Sequence, residues 1–517
     1  MIRTVFLLLA VLLAGPVQAA AAPLADTVSL LWLRDGVPTA AARAALAELA
    51  QAATRGLRAE DYAALPLQQR ADALAALRSD PAAQATFDRD LSQAVVRFVN
   101  HLQRGRVRPQ DAGYALPLAR EVVDPAPVLR ALAASPAVGT TLDALEPRYR
   151  HYALLKQALA RYRVLATLPA FTDLPPLPRR SVKPGEAYGG AEALRRELLT
   201  LGDLSESEAL HSQAPQLDEI LAAAVSRFQL RHGLAGDGVL GASTWRALVT
   251  PMAVRVRQIE LAMERVRWLP PPTGGPFILV NIPQFRLFAF RGPDDAEQAM
   301  TRMNVIVGRT FPQHNTPVFM ADLRYVVFRP YWDVPASIMR KEVLPLLRKN
   351  LVKGEKEGFE LVRGQSNNSP VVPLDEAGLD ALERGELRVR QRSGKANALG
   401  YVKFMLPNAY NVYLHSTPAQ RLFGQAQRTF SHGCVRVEDP VALARFVFEG
   451  EGGWSPERII EAMQAEGPPE RIDLRTPIRV MMFYATAVAA EDGRVLFFQD
   501  IYRHDGRLEK LLARPVG

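Results

Sequence analysis

The run Leu269-Pro-Pro-Pro272 divides the chain into two parts of different period, and that division limits what it can fold into. Three consecutive prolines end a helix and hold the backbone extended. Before them, apolar residues recur at helical spacing; beyond them, β-branched and aromatic residues dominate short runs. The division predicts helical bodies first and a β-rich domain starting near Pro276. With 517 residues, the chain should form roughly two to four domains. Its net charge of +9 comes from dispersed arginines, which reads as a basic solvated surface rather than a nucleic-acid stripe.

The first residues, Met1-Ile-Arg3, the apolar Val5–Leu13, the break at Gly15-Pro16 and the small residues after it have the build of a secretory signal peptide, assigned to residues 1–22. No later stretch reads as a membrane span, so an exported, soluble protein is expected. Residues 23–180 read as a helical scaffold, with Ala41–Ala53, Leu91–Leu102 and Tyr149–Leu165 as amphipathic helices and Asp173–Arg180 as an extended linker. Residues 181–250 read as a small module of three helices, Ala191–Leu201, Ile220–His232 and one through Leu248 that Ser243-Thr244 can cap. Residues 251–275 are a connecting helix and the proline-rich linker.

Residues 276–510 form the β-rich domain. Strands are expected at Phe277–Ile282, Gln284–Phe290, Met303–Val307, Tyr325–Phe328, Leu387–Gln391, Tyr401–Met405 and Val412–Leu414, with Gly292–Asp295 as a turn. An insertion at 337–391, with helices at Leu344–Leu351 and Leu374–Leu382, has a length that fits either a lid or substrate loop or plain decoration of the domain. Ile478–Ala489 and Arg494–Gln499, split by Glu491-Asp492-Gly493, should close the domain as a hairpin.

The chemistry concentrates in Tyr413–Pro418 and Thr429–Arg436. The only cysteine, Cys434, has His432 two residues before it and His415 nineteen before it. An unpaired thiol in an exported protein is a liability unless it is buried or used. A thiol that attacks a carbonyl needs a base and backbone donors for the oxyanion. Gly433 lets the chain turn so that the amides of Gly433 and Cys434 could face one oxygen, and either histidine could be the base. A metal site is disfavoured, since there is no second Cys, no His-Glu-x-x-His and no paired-His spacing; Ser-x-x-Lys, Gly-x-Ser-x-Gly and phosphate-loop signatures are also missing.

Ser431-His-Gly-Cys-Val-Arg436, with His415 upstream, resembles the signature of the L,D-transpeptidases with a YkuD-type catalytic domain. Arg329–Pro335, Asn397–Phe404, Tyr413–Pro418, Val307-Gly308 and Thr316-Pro317 are similar to the large, scaffold-bearing, YcbB-like periplasmic branch. Ala224–Leu234 and Asp237–Leu248 resemble a peptidoglycan-binding domain. The resemblance implies a multidomain α+β protein: helical scaffold, three-helix peptidoglycan-binding module, and a mixed-sheet sandwich with an inserted helical capping subdomain. It implies Cys434 as nucleophile, His415 as base, and Ser416, where this branch more often has Asp, orienting His415 through its carbonyl. Amides around His432, Gly433 and Cys434 would hold the oxyanion, while His432, Arg436, Tyr413 and Trp332 would shape the cleft. No cofactor or metal is implied. The partners would be peptidoglycan stem peptides and glycan strands, with other wall-synthesis proteins possible and no nucleic acid. The reaction would be 3→3 cross-linking of stem peptides through a thioester, with D-Ala released. Alternatives are hydrolysis at the same thiol (carboxypeptidase or endopeptidase), attachment of a lipoprotein, and a non-catalytic wall-binding protein.

Overall fold

The computed structural model describes residues 30–77, 80–117, 124–168, 174–212, 215–271, 274–292, 295, 300–310 and 314–515. The signal-like segment 1–22 lies outside these, as do Asp173 of the expected linker and Pro293-Asp294 of the expected turn. Among the described residues no helix is long and apolar enough to cross a membrane.

Helix Pro81–Arg104 is the spine of the N-terminal body. Asp80 caps it by accepting from the amides of Ala82 and Ala83, and Gly105, at φ 78°, ends it. Phe87, Leu91, Val95, Phe98 and Leu102 fall on one face and pack against Trp32, Leu46, Leu49 and Tyr62. Each such burial is worth about 1.5–3 kcal/mol. The stretch is not wholly helical: Leu33–Arg34 and Val37–Pro38 pair as a short hairpin before helix Ala40–Ala50.

The small module contains the helices Ala191–Leu201, Glu219–Arg231 and Ala242–Leu248, plus a short helix Glu206–His211 started by a Ser205/Glu208 capping box. Ser243 and Thr244 were expected as caps but lie inside the last helix, which begins after Gly241. Thr244 serves the fold instead by accepting from Gln229 Nε2 at 3.0 Å.

Helix Met252–Arg267 does more than connect. Arg267, fully buried, donates to the Tyr152 hydroxyl at 2.9 Å and to the Arg55 carbonyl, and pairs with Glu264. Glu264 accepts from the Val107 amide at 2.8 Å. Arg265, equally buried, holds Asp505 at 2.6 Å. Charges stripped of water are costly to leave unpaired, so these bonds clamp scaffold, helix and C-terminal segment together. The helix also gives Leu261 to the core of the β domain, while Ile259, Met263 and Val266 join the core shared with the module.

The β domain is a sheet that closes on itself. Around the ring come Arg286–Phe290, Thr301–Gly308, Val435–Val437, Leu414–His415, Val402–Met405, Phe319–Phe328, Glu470–Phe483, Phe277–Asn281 and Arg286–Phe290 again. Two of the neighbouring pairs are parallel, Leu414–His415 with Val435–Val437 and Phe277–Asn281 with Glu470–Phe483. Thr429–Ser431 adds a short parallel strand beside Thr301–Gly308. Val280, Leu287, Val305, Val326, Phe404, Leu414 and Val435 meet in its core.

Two local expectations need correction. Ile478–Ala489 is not one strand: the ring strand ends at Phe483, and Ala487–Ala489 pairs with Val495–Phe497 as a separate hairpin in the core shared with the module. Side-chain bonds hold the break, from Tyr484 to Asp500 and from Thr486 to Asp505, both at 2.6 Å. Leu387–Gln391 does not resume the ring. Arg388–Gln391 sits in a four-stranded antiparallel sheet of the insertion, ordered Val371–Val372, Phe359–Val362, Arg388–Gln391, Trp332–Asp333. The helices Leu344–Lys349 and Glu376–Glu383 pack on it around Leu347, Leu361, Leu379 and Val389, so the cap has its own core.

Candidate active site

Strand register assembles the site. His415 pairs with Lys403 on one side and with Arg436 on the other. Paired residues point to the same face of a sheet, so Lys403, His415 and Arg436 form a cross-strand row. Tyr413 and Cys434 lie two residues before His415 and Arg436, just ahead of their strands, and the Tyr413 ring stands 5.6 Å from that of His415. Phe404 and Leu414, one residue out of phase, are buried in the core. The strand row and the two residues just ahead of it thus gather a thiol, an imidazole, a phenol and two cations in one place.

Cys434 is half-buried, and its thiol donates to the Asn411 carbonyl at 3.6 Å. Burial pushes the thiol above the usual range, while bonds to Tyr413 and the charges of Arg436 and Lys403 pull it down. His415 is 4% exposed. Its Nδ1–H donates to the Ser416 carbonyl at 2.5 Å, the tautomer that puts the lone pair on Nε2. Burial, then the charge of Arg436, drives its pKa down to about 3, against that bond to Ser416. Thiol and imidazole are therefore both neutral at pH 7. The Ser416 side chain takes no part in the bond to His415; its Oγ lies where a Cβ on Gly400 would fall, 2.5 Å away.

The turn before Cys434 depends on Gly433, whose φ of +119° is open essentially to glycine alone. Its amide is not free to hold an oxyanion, because it donates to Ser431 Oγ at 3.1 Å, and Ser431 Oγ in turn donates to the Cys434 carbonyl at 2.6 Å. The Gly433 carbonyl accepts from Thr316 Oγ1 at 2.8 Å. Glycine freed the turn but did not free the amide.

His432 is held apart from the row. Its Nε2 bonds Glu342 Oε1 at 2.6 Å, and its ring meets His314 edge-on at 4.9 Å. Glu342 lies in a single π-helical turn of the cap, Met339–Val343. Trp332 lies in the first cap strand, paired with Gln391 and packed toward Phe359, so it belongs to the cap core. Lys403 and Glu342 were missed from the sequence. Lys403 is the only charged residue in strand Val402–Met405, a signal that reads equally as a solvated face.

Family models match three parts of the chain. One described as "L,D-transpeptidase catalytic domain" covers residues 275–459 and takes in the whole row. That stretch therefore carries the pattern of an L,D-transpeptidase catalytic domain. A model for a "Putative peptidoglycan binding domain" covers residues 190–248, the small module, and one for a "Scaffold domain" covers 25–159. A Haemophilus influenzae protein named "Putative L,D-transpeptidase" is 30% identical over 320 residues. The match takes in 59% of this chain and 62% of that protein, so the chain spans less than two thirds of that relative's length.

Proposed function

We propose that the protein is a periplasmic peptidoglycan L,D-transpeptidase that forms 3→3 cross-links through a thioester on Cys434. The observation that carries this reading is the placing of the two groups: Cys434 immediately precedes the strand that pairs in parallel with Leu414–His415, within the matched catalytic domain.

The chemistry is cysteine acyl transfer. As Cys434 Sγ attacks the carbonyl of the third stem residue, meso-diaminopimelate, its proton passes to His415 Nε2. Because both groups are neutral beforehand, proton transfer accompanies attack. The oxyanion is held by the amides of Cys434 and His432, since the Gly433 amide is engaged by Ser431. Collapse breaks the bond to D-Ala, whose amine takes the proton from His415. The acceptor amine then attacks the thioester, gives its proton to His415, and the returning thiol is reprotonated. Ser416 acts through its carbonyl, which explains how a serine serves where the branch more often carries Asp. Arg436 and Tyr413 border the reacting carbonyl, and Trp332 fixes the cap beside it. No metal or cofactor enters the scheme. The small module would hold glycan strands while the stem peptides react.

The test is incubation of purified protein with a disaccharide tetrapeptide, followed by mass spectrometry. A thioester on Cys434, free D-Ala and a 3→3 dimer are expected, and Cys434→Ala should yield none of them. A carbapenem should leave one acyl adduct on Cys434. Tripeptide without dimer would assign a carboxypeptidase; cross-linking that survives Cys434→Ala would overturn the proposal.

A further inference from the structure

Among the described residues, the row beside the thiol carries positive charge with no ion pair to neutralise it. Lys403 is half-buried, and its Nζ lies 5.7 Å from the centre of the Tyr413 ring. Among the described residues it forms no ion pair within contact distance. The carboxylate whose field reaches it, Asp333, is instead bonded to Arg388. Arg436, across His415, is in the same position: its Nε is buried without a hydrogen-bond partner, and the fixed charge whose field reaches it is another cation, Arg309. Glu342, the cap carboxylate, pairs with His432 and approaches Arg309, leaving Arg436 unpaired.

Such an arrangement costs stability. A partly buried cation without a counter-ion gives up hydration and recovers little, and a methionine of similar volume at Lys403 would pack between Val327 and His415 at no such cost. Several other buried arginines of the fold do have a carboxylate partner: Arg231 has Asp203, Arg265 has Asp505 and Arg390 has Glu360. The two unpaired cations flank the thiol, on the face where substrate must lie.

We propose that Lys403, together with Arg436, is a carboxylate-recognition subsite that selects the donor peptide by a free carboxylate next to the scissile bond. This rests on the acyl-transfer reading of Cys434. A tetrapeptide donor offers two such groups, the C-terminal carboxylate of the leaving D-Ala and the free carboxylate on the diaminopimelate side chain. Bound between the two cations, the anion supplies their missing partner and fixes the peptide across the thiol. Selectivity for a chain ending close to the reacting carbonyl then follows from charge, without a shape-closed pocket.

The single cysteine permits a test that does not depend on turnover. Cys434 would be alkylated with iodoacetate and with iodoacetamide, reagents differing mainly by a carboxylate, in the wild type, Lys403→Met and Lys403→Arg. The iodoacetate-to-iodoacetamide rate ratio should fall about tenfold in Lys403→Met, the loss of one charge-assisted bond, and recover in Lys403→Arg. Dividing the rates removes any change in thiolate fraction common to both reagents. Lys403→Met should also melt no lower than wild type, whereas a structural lysine would lower it. An unchanged ratio in Lys403→Met overturns the proposal. With tetrapeptide donors amidated at one carboxylate or the other, Lys403→Met should raise KM for the parent peptide and leave it unchanged for the amide that removes the recognised group. An equal KM increase for both amides would also overturn it. If wild type transfers no acyl group while the alkylation ratio still falls, the transpeptidase reading fails and the anion subsite stands.

Discussion

His432 Nε2 stands 2.6 Å from Glu342 Oε1, a bond that joins the loop carrying the thiol to the inserted cap, 90 residues earlier in the chain. Glu342 lies on a π-helical turn, an irregularity that often marks a functional position. Cap and thiol loop are thus coupled through one polar contact that is open to water. A contact of that kind contributes about 1 kcal/mol. Glu342→Ala should therefore raise the opening frequency of the cap about fivefold. Hydrogen exchange over residues 336–349 should speed up, while exchange in the ring strands stays unchanged.

The neutral state of the thiol predicts a particular pH profile. With burial holding the Cys434 thiol above the usual range, its alkylation rate should climb steadily from pH 6 past pH 9, with no plateau near neutrality. Arg436→Gln removes a charge that favours the thiolate, so its profile should be displaced to higher pH. His415→Ala should slow acylation by a peptide donor by about 10²–10⁴-fold, the worth of a positioned base. Pre-steady-state mass spectrometry would measure both.

Buried histidines should make the protein acid-sensitive. Burial depresses His415 to about 3 and His101 to about 3, His504 to about 4, and His232 well below its ordinary value. A base whose folded pKa is depressed contributes stability in full above its unfolded pKa, about 6.5, and loses it as pH falls toward the folded value. The melting temperature should thus decline from pH 6.5 down toward pH 4. Replacing His504 with Gln should flatten that decline, which differential scanning calorimetry across the range would show.

Gly433→Ala tests the turn. A Cβ at φ +119° is strained whatever space surrounds it, and the two bonds of Ser431 Oγ depend on that conformation. We expect loss of acylation with melting lowered by only a few degrees, since the strain falls on one loop. Ser416→Ala should keep most activity, because His415 is oriented by the main-chain carbonyl.

What could be read in advance was local. The helix Pro81–Arg104 announces itself by an Asp-Pro start, an apolar stripe and a terminal glycine, and Val402–Met405 by its alternation. The thiol and its two histidines stood out because a lone cysteine invites a search for partners. The cap sheet was not legible, since it joins Trp332 to Gln391 across a long stretch, and its strands of two to four residues are too short for a period to show. The task of His432 was hidden for the same reason: its partner comes from a helix of the insertion. Lys403 was invisible as chemistry because a lone lysine on a strand looks like any solvated residue. Only the register opposite His415 reveals it.

The buried arginines of helix Met252–Arg267 bear on how the molecule could be cut. The stretch 275–459, matched as a catalytic domain, does not contain its whole interior: Leu261 and Trp268 come from before it, and Tyr484, Tyr502, Leu508 and Leu512 from after it. Excised at those bounds it would carry an open wound of apolar surface, and Asp505 would be parted from Arg265. The stretch that is matched as a module is narrower than the stretch that must fold together.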